Sequence, residues 1–246
     1  MPYYLGGKIK DRQSLIVTPV ERLEQRFIVD LHASTEVTRI ERQEQRVYYR
    51  RLSDGVEGSE PYDKLIISTG SKPFVPKEFN GVPGVFTLRN MRDMERIEAA
   101  VSAHSEHVVV IGAGFIGLEM VENLRARGVK KVTLVEMMPQ VLGVLDAEMT
   151  RDVLNELTKN GVDVRLSDHV TTAQPLPDQR VALTLNSGAQ LSADLVIVGA
   201  FTLHAVARYP FPHVSLLIAR RRRGPRERPG RCGGSGAGRE AGSARE

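Results

Sequence analysis

Short apolar runs alternate with amphipathic stretches through the middle of the chain. Val108–Ile111 and Val132–Val135 consist almost entirely of β-branched and aliphatic residues, which is typical of strands buried on both faces. The stretch between them places Met120, Val121 and Leu124 on one helical face. A strand, a helix and a second strand in this order predict a βαβ unit, and therefore an α/β fold with a parallel sheet.

Further elements repeat this alternation on both sides of the βαβ unit. After the unit, the pattern predicts a helix capped by Asp146 and ended by Gly161, a turn at Asn186-Ser187-Gly188, and strands at Val162–Leu166, Val181–Leu185 and Asp194–Val198. Before the unit, it predicts a helix that begins after Thr18, a helix capped by Asn90 from Met91 to about Ala103, strands at Ile28–Leu31, Glu36–Ile40 and Arg46–Arg50, and a buried strand at Asp63–Gly70.

A Gly-x-Gly-x-x-Gly motif, Gly112 to Gly117, joins the first strand of the βαβ unit to its helix. Gly112 permits a tight turn, Gly114 lets the backbone approach a pyrophosphate, and Gly117 allows close packing of the helix on the sheet. The helix then directs its free N–H groups and positive dipole end at the phosphates. This pattern predicts a dinucleotide site; the alternative is a strand-to-helix turn that holds no ligand.

Glu136 directly follows the second strand, roughly 20 residues after the glycine motif, as the acidic residue of a dinucleotide site does. Its carboxylate would accept hydrogen bonds from the adenosine ribose and repel a 2′-phosphate, so we expect NADH to be preferred over NADPH. Ile111 precedes the glycines, Phe115 and Ile116 lie between Gly114 and Gly117, and these three residues complete the predicted NAD-binding set.

The C-terminal residues differ in charge and composition from the rest of the chain. Residues 204–246 contain ten arginines and three glutamates, a net charge of +7, whereas the whole chain of 246 residues carries +4, so residues 1–203 carry −3. The run Arg220–Arg223 could bind phosphate backbones, but no nucleic-acid-binding motif surrounds it, and we expect no specific nucleic-acid partner. This Arg-, Gly- and Pro-rich segment is predicted to be disordered or to derive from a shifted reading frame.

The remaining composition excludes several kinds of site. The single cysteine, Cys232, excludes a disulfide framework and a Cys-x-x-Cys pair, and the six histidines show no metal-ligand spacing, so no metal site is expected. No apolar run is long enough to cross a membrane and the first residues do not resemble a signal peptide. We therefore expect a cytoplasmic protein without a membrane partner.

Taken together, these residues resemble the pyridine-nucleotide disulfide oxidoreductases, most closely the coenzyme A-disulfide reductase and NADH oxidase branch. Gly112–Gly117 with Leu118-Glu119 resembles the NADH motif of that family, and Ser68-Thr69-Gly70 resembles the turn that lies against FAD. Pro2–Gly7 resembles the segment that follows the redox cysteine. Members have an FAD domain interrupted by an NAD(P)H domain, followed by a dimerisation domain.

The resemblance implies a Rossmann-like NAD-binding βαβ domain inserted in a partial FAD-binding domain of the disulfide-reductase type. Residues 1–80 would be the partial FAD-binding domain, without its glycine motif and redox cysteine; residues 81–203 the NAD(H)-binding domain; and residues 204–246 the tail. It implies FAD and NADH as cofactors, with Ser68, Thr69 and Gly70 at the flavin, and a small-molecule disulfide or oxygen as electron acceptor. The homodimer of the family would lack its dimerisation domain here.

The resemblance assigns no catalytic cysteine in this chain, which leaves two functions open: an FAD-dependent NADH oxidoreductase present as an incomplete chain, or a non-catalytic NAD(H)-binding fragment. Glu119 would lie near the contact between nicotinamide and flavin; the alternative is a solvated glutamate near the start of its helix. Ser68, Thr69 and Gly70 could equally form a structural turn.

Overall fold

The computed structural model describes residues 1–27, 29–68, 71–101, 105–199, 202–204 and 215–219. These residues form two compact units. The larger unit contains residues 1–34 and the described residues from 71 to 204, and the smaller unit contains residues 35–68 and 215–219. The glycine motif and Glu136 both belong to the larger unit.

The described residues contain five α-helices: α1 (Pro2–Leu5), α2 (Val20–Phe27), α3 (Met91–Ala100), α4 (Phe115–Ala126) and α5 (Ala147–Lys159). Their strands are β1 (Thr35–Glu41), β2 (Arg46–Arg51), β3 (Glu57–Pro61), β4 (Lys64–Ser68), β5 (Ser71–Pro73), β6 (Val85–Thr87), β7 (His107–Ile111), β8 (Lys131–Val135), β9 (Val162–Arg165), β10 (Val170–Pro175), β11 (Val181–Leu185), β12 (Gln190–Ala193), β13 (Leu195–Val198), β14 (Thr202–His204) and β15 (Ser215–Ala219). Two short 3₁₀ helices cover Arg12–Leu15 and Lys77–Phe79.

A five-stranded parallel sheet with the order β6-β13-β7-β8-β9 is the centre of the larger unit. Helix α4 connects β7 to β8, and α5 connects β8 to β9, so the predicted βαβ unit and the α/β fold are confirmed. Because all five strands are parallel, their carboxyl ends lie at one edge of the sheet, where ligands of such folds bind. The glycine motif follows β7 at this edge.

The two faces of the parallel sheet have different partners. Val108 and Val110 of β7 belong to one buried cluster with Met120 of α4, whereas Val109 belongs to a second cluster with Leu183 of β11. Successive side chains of a strand point to opposite faces, so one strand supplies both clusters. Burial on both faces explains why β7 is an uninterrupted apolar run.

The second face is covered by an antiparallel sheet of β10, β11 and β12. Its turn after β11 is the predicted one: Gly188 has a φ of +86° and its N–H donates to the carbonyl of Leu185 at 2.9 Å. The sequence pattern predicts β11 but not β10 or β12, whose residues are partly polar and exposed. These two strands form because β11 offers them a partner on each side.

The smaller unit contains an antiparallel sheet of β1, β2 and β3 around buried Val37 and Val47. Strand β4 pairs antiparallel with β15. The predicted burial of β4 is wrong, since Ile66 and Ile67 are 55% and 48% exposed. A strand is buried on both faces only between two covering layers, and in the described part of the chain β15 is its one strand partner.

Two other predictions near the N-terminal half need correction. Residues 29–31 belong to no strand, so the predicted strand Ile28–Leu31 is wrong there, and Ile28 lies outside the described residues. A short apolar run becomes a strand only where a neighbouring strand completes its hydrogen bonds. Helix α3 ends at Ala100, earlier than predicted, and the N–H of the buried Val101 closes it on the carbonyl of Ile97 at 2.8 Å.

Candidate functional site

The turn out of β7 requires glycine at its first position. Gly112 has a φ of +97°, in the left-handed region that side-chain-bearing residues avoid. Its N–H donates to the carbonyl of Val135, the last residue of β8, at 2.8 Å. The turn therefore begins while the chain is still bonded to the neighbouring strand, and it leads directly into α4.

Gly114 is the N-cap of α4 and faces open space. A Cβ built on it meets no atom within 4 Å, and no side chain at this position caps the helix. The first intrahelical bond of the turn runs from the Leu118 N–H to the Gly114 carbonyl at 3.0 Å. The N–H groups of Phe115, Ile116 and Gly117 precede that bond and have no acceptor within the helix, so this end of α4 is rich in hydrogen-bond donors.

Gly117 packs too closely for any side chain. A Cβ there would overlap the carbonyl oxygen of Gly112, so the first turn of α4 lies directly against the glycine turn. Gly199, which follows β13, approaches the same point: a Cβ on it would lie 3.1 Å from the Cα of Gly117, and its N–H donates to the carbonyl of Ile111 at 2.8 Å. Gly199 is not part of the sequence motif, because it lies some 80 residues after Gly117 along the chain.

Glu136 bridges the glycine turn and the loop after β8. One carboxylate oxygen accepts the N–H of Ala113 at 2.7 Å, and the other accepts the N–H of Met138 at 2.8 Å. The side chain is half-buried. Two backbone donors therefore fix the carboxylate beside the N-terminus of α4, and each of its oxygens keeps a lone pair for a ligand hydroxyl.

The structure thus brings together Ile111, Gly112, Gly114, Gly117 and Glu136 at the carboxyl edge of the parallel sheet. Phe115 and Ile116 stand on the first turn of α4, 63% and 37% exposed. This set fits a dinucleotide: an open, donor-rich helix end for phosphates and a fixed carboxylate for ribose hydroxyls.

The other predicted site residues lie further along α4, in the smaller unit or outside the described residues. Glu119 lies on α4 beyond its first turn and is half-buried, and its backbone carbonyl accepts the side-chain N–H of Asn123 at 2.7 Å. Ser68 is the exposed last residue of β4 in the smaller unit. Thr69, Gly70, Cys232 and the run Arg220–Arg223 lie outside the described residues.

Asp168 is a buried carboxylate near this edge that the sequence pattern does not identify. Burial raises the pKa of Asp168, but hydrogen bonds from the hydroxyl and N–H of Ser187 and from the N–H of His169 outweigh it and hold the pKa below the ordinary value of an aspartate. Asp168 is therefore ionised at neutral pH.

The described residues contain no candidate metal cluster and no candidate membrane-spanning helix. No cluster of three or more histidine, cysteine, aspartate or glutamate residues there has a geometry that could hold a metal ion. None of the helices in the same residues has the length and apolarity to cross a membrane.

Comparison with known proteins finds similar sequences over most of the chain. The family model for pyridine nucleotide-disulphide oxidoreductase matches residues 2–201. Coenzyme A disulfide reductase of Staphylococcus aureus is 31% identical over 205 residues, which are 82% of this chain and 44% of that protein. The chain therefore spans less than half the length of this curated relative.

Two solved structures share the fold. Reduced CoADR-RHD of Bacillus anthracis superposes with a TM-score of 0.77 at 37% identity, covering 84% of this chain and 37% of that one. The water-forming NADH oxidase of Lactobacillus brevis, solved with NADH bound, has a TM-score of 0.73 at 27% identity, covering 82% of this chain and 44% of that one.

Proposed function

The chain belongs to the pyridine nucleotide-disulphide oxidoreductase family, and on that premise we propose that it carries the NADH site of an FAD-dependent oxidoreductase of the disulfide reductase type. The observation that carries the proposal is the pairing of an open helix end at Gly114 with the fixed carboxylate of Glu136. Gly114 faces open space, so packing within the protein does not require glycine there, and each of the two features matches one part of the nucleotide.

The residues around the glycine turn divide the work of binding NADH. The backbone of Gly114 and the first N–H groups of α4 would hold the pyrophosphate, because the helix end is open and has no cap. Glu136 would accept the ribose hydroxyls and exclude a 2′-phosphate, which favours NADH over NADPH. Ile111, Phe115 and Ile116 would line the approach to the turn.

FAD would supply the chemistry, by accepting a hydride from NADH and passing its electrons to the acceptor. Ser68, Thr69 and Gly70 remain the proposed flavin contacts, and Ser68 is the described member of this set. Glu119 is proposed to lie near the contact between nicotinamide and flavin. Its position on α4, beyond the glycine turn, supports this proposal. The acceptor is a small-molecule disulfide, such as coenzyme A disulfide, or oxygen, as the names of the relatives suggest.

A second candidate function is NAD(H) binding without turnover. The described residues contain the whole predicted NAD set, and binding by this set requires no cysteine. The absorbance spectrum of the purified chain discriminates the two functions. Bound flavin together with NADH-dependent reduction of coenzyme A disulfide supports the enzyme, and NADH binding to a colourless protein supports the binding function.

The test of the NADH site is substitution of Gly114. Gly114→Val should lower the affinity for NADH at least about tenfold, because the side chain would occupy the space of the pyrophosphate. Its Cβ meets no protein atom within 4 Å, so the fold should be retained. The measurement is titration of the 246-residue chain with NADH, followed by nucleotide fluorescence.

Gly143→Val is the matched control, since Gly143 also faces open space and is not in the left-handed region. This variant should bind NADH as the unsubstituted chain does. Unchanged NADH affinity in Gly114→Val would show that the site is wrongly assigned.

A further inference from the structure

The loop that carries Glu136 is held by the loop after β9. The N–H of Asp168 donates to the carbonyl of Glu136 at 3.1 Å, and the N–H of Ser167 donates to the carbonyl of Met138 at 3.0 Å. The N–H of Glu136 donates to the carbonyl of Arg165 at 2.8 Å, which continues the pairing of β8 with β9. Three backbone bonds thus fix the loop on the side away from the glycine turn.

The second loop has a conformation that needs support. Ser167 has a φ of +54°, a left-handed conformation that is unfavourable for a residue with a side chain. This conformation turns the consecutive N–H groups of Ser167 and Asp168 toward the two carbonyls of the Glu136 loop. Contacts from outside the loop are therefore needed to hold Ser167 in this conformation.

The carboxylate of Asp168 supplies that support. It is 6% exposed and accepts the N–H of His169 at 2.9 Å, the N–H of Ser187 at 3.1 Å and the hydroxyl of Ser187 at 2.6 Å. Ser187 lies in the turn between β11 and β12, and the neighbouring N–H of Asn186 donates to the carbonyl of His169 at 2.9 Å. The loop after β9 is therefore tied to a turn of the antiparallel sheet.

We propose that Asp168, anchored by Ser187, is a positioning residue that holds Glu136 in place and so sets how strictly the nucleotide site selects NADH over NADPH. The proposal rests on the NADH site proposed above. Asp168 acts through the backbone of the Glu136 loop, and no contact between Asp168 and the nucleotide is required.

Selectivity is the property that depends most on this support. A carboxylate repels a 2′-phosphate only while it stays beside the ribose, and it accepts the 2′-hydroxyl only in the same position. A released loop would let the Glu136 side chain turn toward water. Affinity for NADH would then fall, whereas NADPH would meet less repulsion and bind as well or better.

The experiment compares dissociation constants for NADH and NADPH in the 246-residue chain and its variants. Asp168→Ala should lower the NADH to NADPH selectivity ratio by about tenfold, and Ser187→Ala by about threefold, since it removes one of the three bonds. Asp168→Asn should retain most of the selectivity, because its amide oxygen still accepts the two N–H groups and its NH₂ group can donate to Ser187.

Asp194→Ala is the matched control. Asp194 also accepts two backbone N–H groups, those of Glu106 at 2.6 Å and His107 at 2.9 Å, but at the opposite end of β7. Its loss should destabilise the fold without changing the selectivity ratio. Equal ratios in Asp168→Ala and the unsubstituted chain, or an equal loss in Asp194→Ala, would overturn the proposal.

Hydrogen exchange separates this proposal from the proposed function. The amides of Ala113 and Met138, which donate to Glu136, should exchange faster relative to the other amides of the larger unit in Asp168→Ala but not in Asp194→Ala, with or without nucleotide. If the unsubstituted chain binds no NADH, the proposed function fails and takes the selectivity role with it. Unchanged exchange in Asp168→Ala would instead refute the anchoring itself, whatever the nucleotide binding.

Discussion

The three glycines of the motif are required for different reasons. Gly112 is held in a left-handed conformation with a φ of +97°, and a Cβ on Gly117 would overlap the carbonyl of Gly112, so the fold itself requires both. Gly114 has an ordinary extended conformation and open space around it. Contacts within the protein do not explain glycine at position 114. Such a glycine is expected where a ligand lies against the backbone.

Glu136→Gln should shift the nucleotide preference toward NADPH. The amide keeps the size of the side chain but removes the charge that repels a 2′-phosphate, so the NADH to NADPH selectivity ratio should fall by roughly tenfold. The measurement is titration of both nucleotides. The ratio is used because the NH₂ group of the amide cannot accept an N–H, so one of the two bonds to Ala113 and Met138 is lost, which lowers both affinities together. A ratio equal to that of the unsubstituted chain would remove Glu136 from the ribose site.

At the scale of elements, two helix starts that look alike in sequence differ in structure. Asn90 accepts the N–H of Asp93 at 3.0 Å, and Asp93 accepts the N–H of Asn90 at 3.1 Å, which completes a capping box for α3. Asp146 occupies the N-cap of α5 as predicted, but its side chain makes no cap hydrogen bond. The same kind of residue therefore contributes differently at the two helices.

Asn90→Ala should lower the free energy of unfolding by about 1 kcal/mol, because it leaves the Asp93 N–H without its cap. Asp146→Ala should change it by less than about 0.5 kcal/mol, since only the interaction with the helix dipole is lost. Urea denaturation of both variants at neutral pH measures the difference. Equal losses would mean that the capping box of α3 contributes nothing beyond the charge or polarity of its first residue.

At the scale of the whole molecule, a buried histidine links the two sheets of the larger unit. His107 of β7 donates from Nδ1 to the carbonyl of Ser192 in β12 at 2.8 Å, since a carbonyl can only accept, and its Nε2 lies 2.8 Å from the hydroxyl of Thr133 in β8. Burial lowers the pKa of His107, and the charges of Lys131 and Arg180 lower it further, against the opposing effects of the Ser192 carbonyl and Asp163. This imidazole is therefore neutral in the folded chain at neutral pH.

Stability should consequently fall as the pH drops below about 6.5, the pKa of a histidine in an unfolded chain, because the unfolded state then binds a proton that the folded state does not.

The pKa of Asp163 and that of Asp168 are also lowered: burial raises both, but hydrogen bonds from Arg165 and from Ser187, respectively, prevail. These two groups add a second loss of stability below about pH 4.

Urea denaturation between pH 8 and pH 3 measures both losses. His107→Gln should flatten the upper loss and leave the lower one in place, since glutamine does not titrate and the two aspartates remain. The same slope below pH 6.5 in His107→Gln and in the unsubstituted chain would show that another group causes the upper loss.

The sequence pattern alone predicts the elements and the candidate site residues whose physical cause is local. The apolar runs of β7, β8 and β13, the turn that only Gly112 can make and the Asn90 cap all depend on neighbours a few residues away, so periodicity and residue type predict them. The glycine motif and the acidic residue after the next strand belong to this class. The α/β fold follows from their order along the chain.

Features that depend on distant partners are visible only in the folded chain. The polar strand β3, whose Gly58 leaves room for the ring of Tyr49, and the strands β10 and β12 form because a neighbouring strand pairs with them. The exposure of β4 likewise depends on which layers cover it. Gly199 at the glycine turn and Asp168 behind Glu136 come from sequence positions far from the motif, and no local pattern marks them, because the contacts that give them a role exist only in the folded chain.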